Sequence, residues 1–413
     1  MKIALAFSGG LDTSFCVPYL RETHGADVVT VTVNTGGVTP DELAEVAARS
    51  RALGAVEHHE IDARRAVYDR FVSYLIRGNV LRGEVYPLSV AAERTAQAVE
   101  VAKVAQAIGA DAVAHGSTGA GNDQVRFDVA LRALLPGVPL LTPVRELGMA
   151  REEALAFLKE HGLEIPQGAD RYSVNRGLWG TTIGGGWTHD SWEAPPADAW
   201  SGLAGSKVAS EPRDLVIGWR EGLPVSLDDS ELEGIELVDR LGSICAEYHV
   251  GRGIHIGQTA LGIVGRIGFE AGAALALIQA HRELEKITLT RTQSFWKDHL
   301  ARVYGDQLHE GRFFDPGMRD IEAMIVSSQR TVDGDTRLHF EAGHVAVTGV
   351  ASEHSSMKSE LALYGETQTL WTGAEAAAFS KIAAVPALVR GAKEARAAAG
   401  WDSTKNLVAG KTQ

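Results

Sequence analysis

A run of glycine and hydroxyl residues near the start of the chain has the composition of a phosphate-binding loop. It follows an apolar, strand-like stretch at residues 3–7 and comprises Ser8, Gly9, Gly10, Leu11, Asp12, Thr13 and Ser14. Glycines let the backbone approach a phosphate closely, hydroxyls add donors, and a following helix start supplies free N–H groups and a favourable dipole. This first loop (residues 8–14) therefore predicts a pyrophosphate site, with a plain serine-glycine turn as the alternative.

The first loop differs from the Walker A pattern, because no Gly-Lys-Ser or Gly-Lys-Thr closes it. Transfer of the γ-phosphoryl group is therefore not expected. The loop resembles the Ser-Gly-Gly-x-Asp-Ser type of the ATP pyrophosphatases, which cleave ATP between the α- and β-phosphates and keep an adenylated substrate. The expected products are AMP and pyrophosphate.

A second polar, glycine-rich loop (residues 115–127) follows the strand-like stretch at residues 112–115. It reads His115, Gly116, Ser117, Thr118, Gly119, Ala120, Gly121, Asn122, Asp123, Gln124, Val125, Arg126 and Phe127. Sheets of α/β proteins place ligands at the carboxyl ends of their strands. Thr118 and Asn122 can donate to a carboxylate, and Asp123 can orient an ammonium group. The second loop is thus a candidate site for an amino acid, unless its side chains merely satisfy one another in a solvated turn.

The elements around these loops are predicted from periodicity. Strands are expected at residues 3–7, 27–33, 56–61 and 112–115. They alternate with amphipathic stretches, which is typical of βαβ units in a parallel sheet. Thr39, Pro40 and Glu42 predict a capped helix that stops at Gly54, and an apolar stripe predicts a helix over about residues 91–108. The expected fold class is α/β.

The sequence changes character after Pro166. A helical stretch at residues 230–247 and strand-like stretches at 215–219, 337–340 and 344–348 indicate an α+β second domain. The stretch at residues 372–399 is alanine-rich and helical, interrupted by Pro386, and predicts an oligomerisation arm or a solvent-covered terminal helix. The predicted domains are 1–166 for the nucleotide, 167–370 for the acceptor and aspartate, and 371–413 for the arm.

Composition excludes several classes of function. The 413 residues carry a net charge of −13, which argues against a nucleic-acid binder, since that affinity depends on cationic groups. No apolar run reaches the roughly 18 residues of a membrane helix, so no membrane partner is expected. Cys16 and Cys245 lack the paired spacing of a disulfide framework or a zinc site, and no protein-bound metal is predicted. Without a signal-like apolar core after Met1, a cytoplasmic location is expected.

Together the two loops closely resemble the argininosuccinate synthase family, and the resemblance covers nearly the whole chain. Further matches occur at Tyr86-Pro87-Leu88, Tyr172-Ser173, Leu178-Trp179-Gly180, Gly222-Leu223-Pro224-Val225 and Gly251-Arg252. The resemblance implies an N-type ATP pyrophosphatase domain, an α+β synthetase domain and a C-terminal helical arm, assembled as a homotetramer. It also implies ATP and Mg²⁺ as cofactors and L-aspartate as a substrate. In this family the acceptor's ureido oxygen attacks the α-phosphorus of ATP, and the aspartate amine then displaces AMP.

The resemblance also implies a role for each matching residue. The implied ATP contacts are Ala6, Phe7, Ser8, Gly9, Gly10, Leu11, Asp12, Thr13, Ser14, Val33 and Gly116. The implied aspartate contacts are Thr118, Asn122 and Asp123. The acceptor positions are Tyr86, Ala91, Asn122, Arg126, Ser173, Thr182, Gly257 and Phe269. Asp12, Asp123 and Arg126 are the candidate catalytic residues.

Several acceptor positions depart from the family pattern. Ala91 and Thr182 replace serines, Gly257 replaces a glutamate, and Phe269 replaces a tyrosine, while Ala120 in the second loop replaces a lysine. These losses remove acceptors for an α-ammonium group, whose unpaired burial costs several kcal/mol. The expected function is therefore an AMP-forming ligase that joins L-aspartate to a non-citrulline acceptor of specialised metabolism. True argininosuccinate synthesis and an inactive regulatory homologue are the alternatives.

Overall fold

The computed structural model describes residues 1–119, 121–163, 172–200, 207–358 and 370–398. Met1–His354 form one compact unit, and Ser355–Gln413 belong to a second. Ala120 and the predicted domain boundary at Pro166 lie outside the described residues. The extents of domains 1–166, 167–370 and 371–413 stay predictions.

The strands are β1 Lys2–Ala6, β2 Asp27–Asn34, β3 Glu57–Asp62, β4 Ala112–His115, β5 Leu140–Leu141, β6 Ser173–Gly177, β7 Gly180–Gly184, β8 Arg213–Arg220, β9 Leu223–Leu227, β10 Ser230–Glu231, β11 Arg252–Gln258, β12 Val264–Glu270, β13 Gly334–Glu341 and β14 His344–Ala351. The helices are α1 Leu11–His24, α2 Pro40–Ala52, α3 Arg64–Val67, α4 Ser73–Arg77, α5 Ser89–Ala107, α6 Asp123–Leu134, α7 Pro143–Leu147, α8 Arg151–Glu160, α9 Gly234–Glu247, α10 Gly272–Thr288, α11 Arg291–His309, α12 Gly317–Ser328, α13 Gly373–Ala383 and α14 Val385–Ala398.

The first sheet is parallel and has the order β3-β2-β1-β4-β5. The chain steps outward from β1 through β2 to β3 and then returns through α5 to place β4 on the other side of β1. Ligands of open α/β sheets bind where the strand order reverses in this way, beyond the carboxyl ends of the strands. The two polar loops leave β1 and β4 at this point, so the predicted α/β fold is confirmed.

The predicted helices of this first part are present. Thr39 Oγ accepts from the Glu42 N–H at 3.3 Å, and the Glu42 carboxylate accepts from the Thr39 N–H at 2.8 Å, which completes the predicted capping box of α2. Gly54 follows that helix with a φ of 92°. Helix α1 runs through Pro18, which is buried. The capping residues and the following glycine therefore predicted both ends of α2 correctly.

The second part of the chain is α+β, as predicted. One antiparallel sheet has the order β10-β9-β8-β13-β14, and a second has the order β11-β12-β7-β6. A hydrophobic core that includes Trp179, Leu241, Leu277 and Phe340 lies between these sheets and helices. The helix predicted at residues 230–247 begins only at Gly234, because Ser230–Glu231 pairs with β9 as a short hairpin.

The loop after β2 fixes the β6–β7 hairpin beside the parallel sheet. The Leu178 N–H donates to the Thr35 carbonyl at 2.9 Å. Gly36 allows this approach, because it has a φ of 107° and a Cβ added there would lie 2.6 Å from the Leu178 nitrogen. The acceptor positions on the hairpin therefore lie near the carboxyl edge of β2.

The second unit contains α13 and α14, which confirms the predicted helical region near residues 372–399. Thr372 and Glu375 form a capping box, and Pro386 lies in the first turn of α14, where a missing N–H is tolerated. The described side chains of both helices are mostly exposed, including Phe379 and Leu388. No helix in the described ranges is long and apolar enough to cross a membrane. A role of the arm in oligomerisation stays a prediction.

Candidate active site

The first loop turns from β1 directly into the first turn of α1. The Gly10 N–H donates to Ser8 Oγ at 3.3 Å, and Thr13 Oγ lies 3.3 Å from both the Ser8 nitrogen and the Gly10 carbonyl oxygen. Arg49 donates to the Gly9 carbonyl from outside the loop. No side chain caps α1, so its first N–H groups remain available to a phosphate. The loop is thus held in one shape by its own hydroxyls and by an arginine that the sequence did not indicate.

The other predicted ATP positions lie at the same edge of the sheet. A Cβ added to Gly116 would lie 3.0 Å from Thr13 Cγ and 3.1 Å from the Asp12 carbonyl carbon, so the end of β4 contacts α1. Burial raises the pKa of the Asp12 carboxyl, while Arg151 lowers it. The remaining positions are arranged as follows: the side chains of Ala6, Phe7 and Ser14 are buried, and those of Leu11 and Val33 are half-buried. In the described ranges, no group of three or more His, Cys, Asp or Glu side chains could hold a metal ion.

The second loop is supported by a chain of charged and polar groups behind it. Asp128 accepts from Arg145 at 3.0 Å and lies 2.8 Å from His115 Nε2. Arg145 also donates to Gln124 at 2.9 Å, and Gln124 donates to the Gly121 carbonyl at 3.3 Å. Burial alone would raise the pKa of Asp128, but its contacts with His115 and Arg145 outweigh this and lower it. These contacts supply hydrogen-bond partners to the polar side chains that support the second loop.

Asp123, the first residue of α6, is shared by two arginines. Its carboxylate accepts from Arg94 Nε at 2.9 Å and from Arg126 Nη1 at 3.1 Å. Burial alone would raise the pKa of this carboxyl, but the two guanidinium groups lower it, so Asp123 is ionised at neutral pH. The structure thus assembles a negative group between two positive ones at the end of the second loop.

Arg126 and Arg94 reach from this cluster to other elements. Arg126 Nε donates to the His309 carbonyl at 3.1 Å, and its Nη2 lies 3.2 Å from His309 Nδ1. Burial, with Arg126 and Arg82, lowers the pKa of His309 to about 3, so the neutral ring can accept from Arg126. Arg94 also donates to Asn175 in β6. Neither Arg94 nor His309 is among the site residues predicted from the sequence, although the charged pair Glu93 and Arg94 near the start of an alanine-rich helix is a usable signal.

Four predicted acceptor positions share one face of the β11-β12-β7-β6 sheet. Thr182 is the register partner of Phe269, and Ser173 and Gly257 follow from the registers of β6 with β7 and of β11 with β12. Because side chains alternate along a strand, these four residues point to the same side. We call this surface the acceptor face (Ser173, Thr182, Gly257 and Phe269).

The other acceptor positions border the acceptor face. The Tyr86 ring lies 5.5 Å from the Phe269 ring between centroids, and Ala91 is buried in α5. Asn122 Oδ1 accepts from the Ala260 N–H at 2.7 Å, which joins the second loop to the turn between β11 and β12. Thr118 makes no hydrogen bond through its side chain to any described residue. The structure therefore places Asn122 beside the β11–β12 turn and Tyr86 beside Phe269.

Glu93 is a buried carboxyl group beside this face that the sequence analysis missed. It lies on α5 beneath Gly177, and the Trp179 N–H donates to it at 3.4 Å. Burial raises its pKa to about 8, although Arg94 lowers it in part. The side chain is therefore largely protonated at neutral pH.

Replacing Glu93 by glutamine is expected to remove a pH-dependent loss of stability. The folded-state pKa of about 8 exceeds the ordinary 4.5, so the folded protein holds a proton that the unfolded chain releases between these values. Wild-type stability should thus fall as the pH rises through this window and then level off. Calorimetry should show Glu93→Gln melting above wild type at about pH 9 and close to it at about pH 5. Glu152→Gln, an exposed control, should follow wild type; equal pH slopes for all three proteins would contradict the assignment.

Comparison with known proteins covers both parts of the chain. Residues 2–164 match the family described as the arginosuccinate synthase N-terminal HUP domain, and residues 172–389 match the arginosuccinate synthase C-terminal domain. An argininosuccinate synthase of Xylella fastidiosa is 39% identical over 387 residues, covering 92% of this chain and 95% of that protein. The argininosuccinate synthase of Trichodesmium erythraeum is 37% identical over 88% of this chain and 91% of its own length. That of Rubrobacter xylanophilus is 37% identical over 94% of both.

Proposed function

This chain belongs to the argininosuccinate synthase family, and from that premise we propose that it joins citrulline to L-aspartate and forms argininosuccinate. As a family member it is an ATP-dependent carbon–nitrogen ligase that yields AMP and pyrophosphate. The observation that carries the proposal is the likeness to proteins named argininosuccinate synthase over nearly the full length of both chains. The non-citrulline acceptor expected from the substitutions has less support than this alternative.

ATP is proposed to bind at the carboxyl edge of the parallel sheet. The backbone N–H groups of the first loop and of the α1 start would hold the pyrophosphate portion, and Gly116 leaves room beside them. Mg²⁺ would bind together with ATP through the phosphate oxygens. This hard cation is usually coordinated by substrate phosphates, waters and one or two carboxylates, and seldom by protein groups alone. Asp12, in the first turn of α1, is the carboxylate that we propose for this coordination.

The reaction is proposed to proceed in two displacements at one site. The ureido oxygen of the acceptor attacks the α-phosphorus and pyrophosphate leaves; the aspartate amine then attacks the activated carbon, loses a proton and displaces AMP. Thr118 and the amide of Asn122 would hold the aspartate carboxylates, and ionised Asp123 would orient its ammonium group. The protein contributes positioning and charge stabilisation, since ATP supplies the leaving group.

A second candidate function is a ligase for a different ureido acceptor. It is favoured by Ala91, Gly257 and Phe269, which offer neither a carboxylate nor a hydroxyl to an α-ammonium group. Sites that hydrogen-bond a polar group discriminate by roughly 10⁴ to 10⁵ against analogues that lack it. A site that has lost its own polar groups should likewise discriminate against an acceptor whose ammonium group needs them, and so favour a different acceptor. A homotetramer and a cytoplasmic location are further proposals from the family.

Citrulline is expected to be turned over with a kcat/KM of roughly 10⁴ M⁻¹s⁻¹ or above, which is within the ordinary range for enzymes. The measurement is pyrophosphate release at saturating ATP and L-aspartate, with reactions that lack aspartate as the control. A panel of other ureido compounds is tested in parallel. A citrulline value far below that of another acceptor would reject argininosuccinate synthesis and favour the second candidate.

A further inference from the structure

The imidazole of His255 covers two glycines at one end of the acceptor face. His255 lies on β11 two residues before Gly257, so both point to the same side of the sheet. A Cβ added to Gly257 would lie 2.5 Å from His255 Nε2, and one added to Gly83 would lie 3.0 Å from its Cε1. The ring stacks on Tyr86, with centroids 5.5 Å apart and planes inclined by 20°. His255 thus occupies the volume that a side chain at position 257 would need.

One nitrogen of this ring has no hydrogen-bond partner among the residues that the structure describes. His255 is 9% exposed, and its Nε2 makes no hydrogen bond to any described residue. A buried nitrogen in this condition costs free energy unless a ligand or water supplies the missing bond. The position beside Tyr86 and Gly257 makes the acceptor the natural source of that bond.

The charged group that acts on the His255 ring is the guanidinium group of Arg82. Burial, and then the guanidinium group of Arg82, lower the pKa of His255, so its ring is neutral at pH 7. Arg82 itself donates to the Gln258 carbonyl at 2.8 Å and lies 3.5 Å from Asp306. A neutral N–H beside a guanidinium group suits a carboxylate and does not suit an ammonium group.

We propose that His255 determines acceptor specificity by donating from Nε2 to a carboxylate at the far end of a ureido acceptor. His255 thus contacts the acceptor in place of a side chain at position 257. The inference rests on the proposed function, because it takes the acceptor face as the acceptor site. Its substrate class is ureido carboxylates, in which the carboxylate is required and an adjacent ammonium group adds little.

Three acceptors test this class directly: citrulline, its deamino analogue 5-ureidopentanoate, and its decarboxylated analogue 4-ureidobutylamine. The wild-type protein should use the first two with kcat/KM values within about tenfold of each other. The third, which lacks the carboxylate, should be at least about 100-fold poorer, since a desolvated charged hydrogen bond is lost. Equal use of the decarboxylated acceptor would overturn the proposal.

Two variants separate hydrogen bonding from packing. His255→Phe keeps a ring on Tyr86 but loses the nitrogen, and should raise the KM for the used carboxylate acceptor about tenfold, with the KM values for ATP and aspartate unchanged. Gly257→Ala should raise the same KM, because its methyl group displaces the His255 ring. Ile256→Ala, on the opposite face and 51% exposed, is the matched control.

The outcomes distinguish this inference from the proposed function. If His255→Phe has a wild-type KM for the acceptor, the ring only packs and the inference is wrong. If citrulline is poor but 5-ureidopentanoate is used well and responds to His255→Phe, argininosuccinate synthesis and the indifference to the ammonium group both fail, while the contact of His255 with the carboxylate stands. If no ureido carboxylate is turned over, both fail.

Discussion

Replacing Asp123 by asparagine should lower kcat/KM for L-aspartate about 100-fold or more and leave the affinity for ATP nearly unchanged. The carboxylate accepts from Arg94 at 2.9 Å and from Arg126 at 3.1 Å. Hydrogen bonds to charged groups contribute about 1.5–3 kcal/mol each, and asparagine keeps the shape while it removes the charge. Pyrophosphate release at varied aspartate concentration gives the first quantity, and titration calorimetry with ATP gives the second.

Asp62→Asn is the matched control, because Asp62 also pairs with an arginine, Arg64, at 2.6 Å, but on the surface. Exposed pairs contribute little, so this variant should behave as wild type. A loss of ATP affinity in Asp123→Asn, with the response to aspartate intact, would show that the second loop does not serve the amino donor.

Replacing Gly116 by alanine should weaken ATP binding at least about tenfold. The added methyl carbon would lie 3.1 Å from both the Asp12 carbonyl carbon and the Thr13 nitrogen, which are backbone atoms of the first turn of α1. That turn cannot yield without moving the N–H groups that would hold the phosphates, and a tenfold loss corresponds to only about 1.4 kcal/mol. Titration calorimetry with ATP measures the effect.

Gly121→Ala provides the comparison, because no described residue other than its chain neighbours lies within 4 Å of the added carbon. It should bind ATP as the wild-type protein does. Should Gly116→Ala also retain full ATP affinity at an unchanged melting temperature, the nucleotide does not lie against the junction of β4 and α1.

Much of the nucleotide-binding part could be predicted because its determinants are local. Thr39 and Glu42 are three residues apart and bond each other, and β4 was predicted with its observed ends. Buried parallel strands rich in valine, such as β2, leave a clear apolar signal between polar loops. The positions of both loops at the carboxyl edge follow from that pattern alone.

The contacts that give the site its chemistry could not be predicted, because they join distant parts of the chain. Arg126 and His309 are 183 residues apart in sequence and are in contact in the fold. The His255 ring fills the space beside Gly257 on one face of the sheet. Its position depends on the β11–β12 register and on stacking against Tyr86. The substitution Gly257→Glu shows why: the Cβ of a glutamate there would lie 2.5 Å from His255 Nε2, and sequence comparison alone does not reveal this contact.

The hydrogen bond from the Ala260 N–H to Asn122 sets a condition for exchanging parts between enzymes of this architecture. The β11–β12 hairpin carries the wall of the acceptor face, so grafting a foreign hairpin is a direct route to a new substrate range. Its turn also anchors the loop assigned to the amino donor. A graft with proline at position 260 would remove that N–H and release the anchor. Hairpins for transplantation should therefore be chosen by what stands at position 260 as well as by their acceptor side chains.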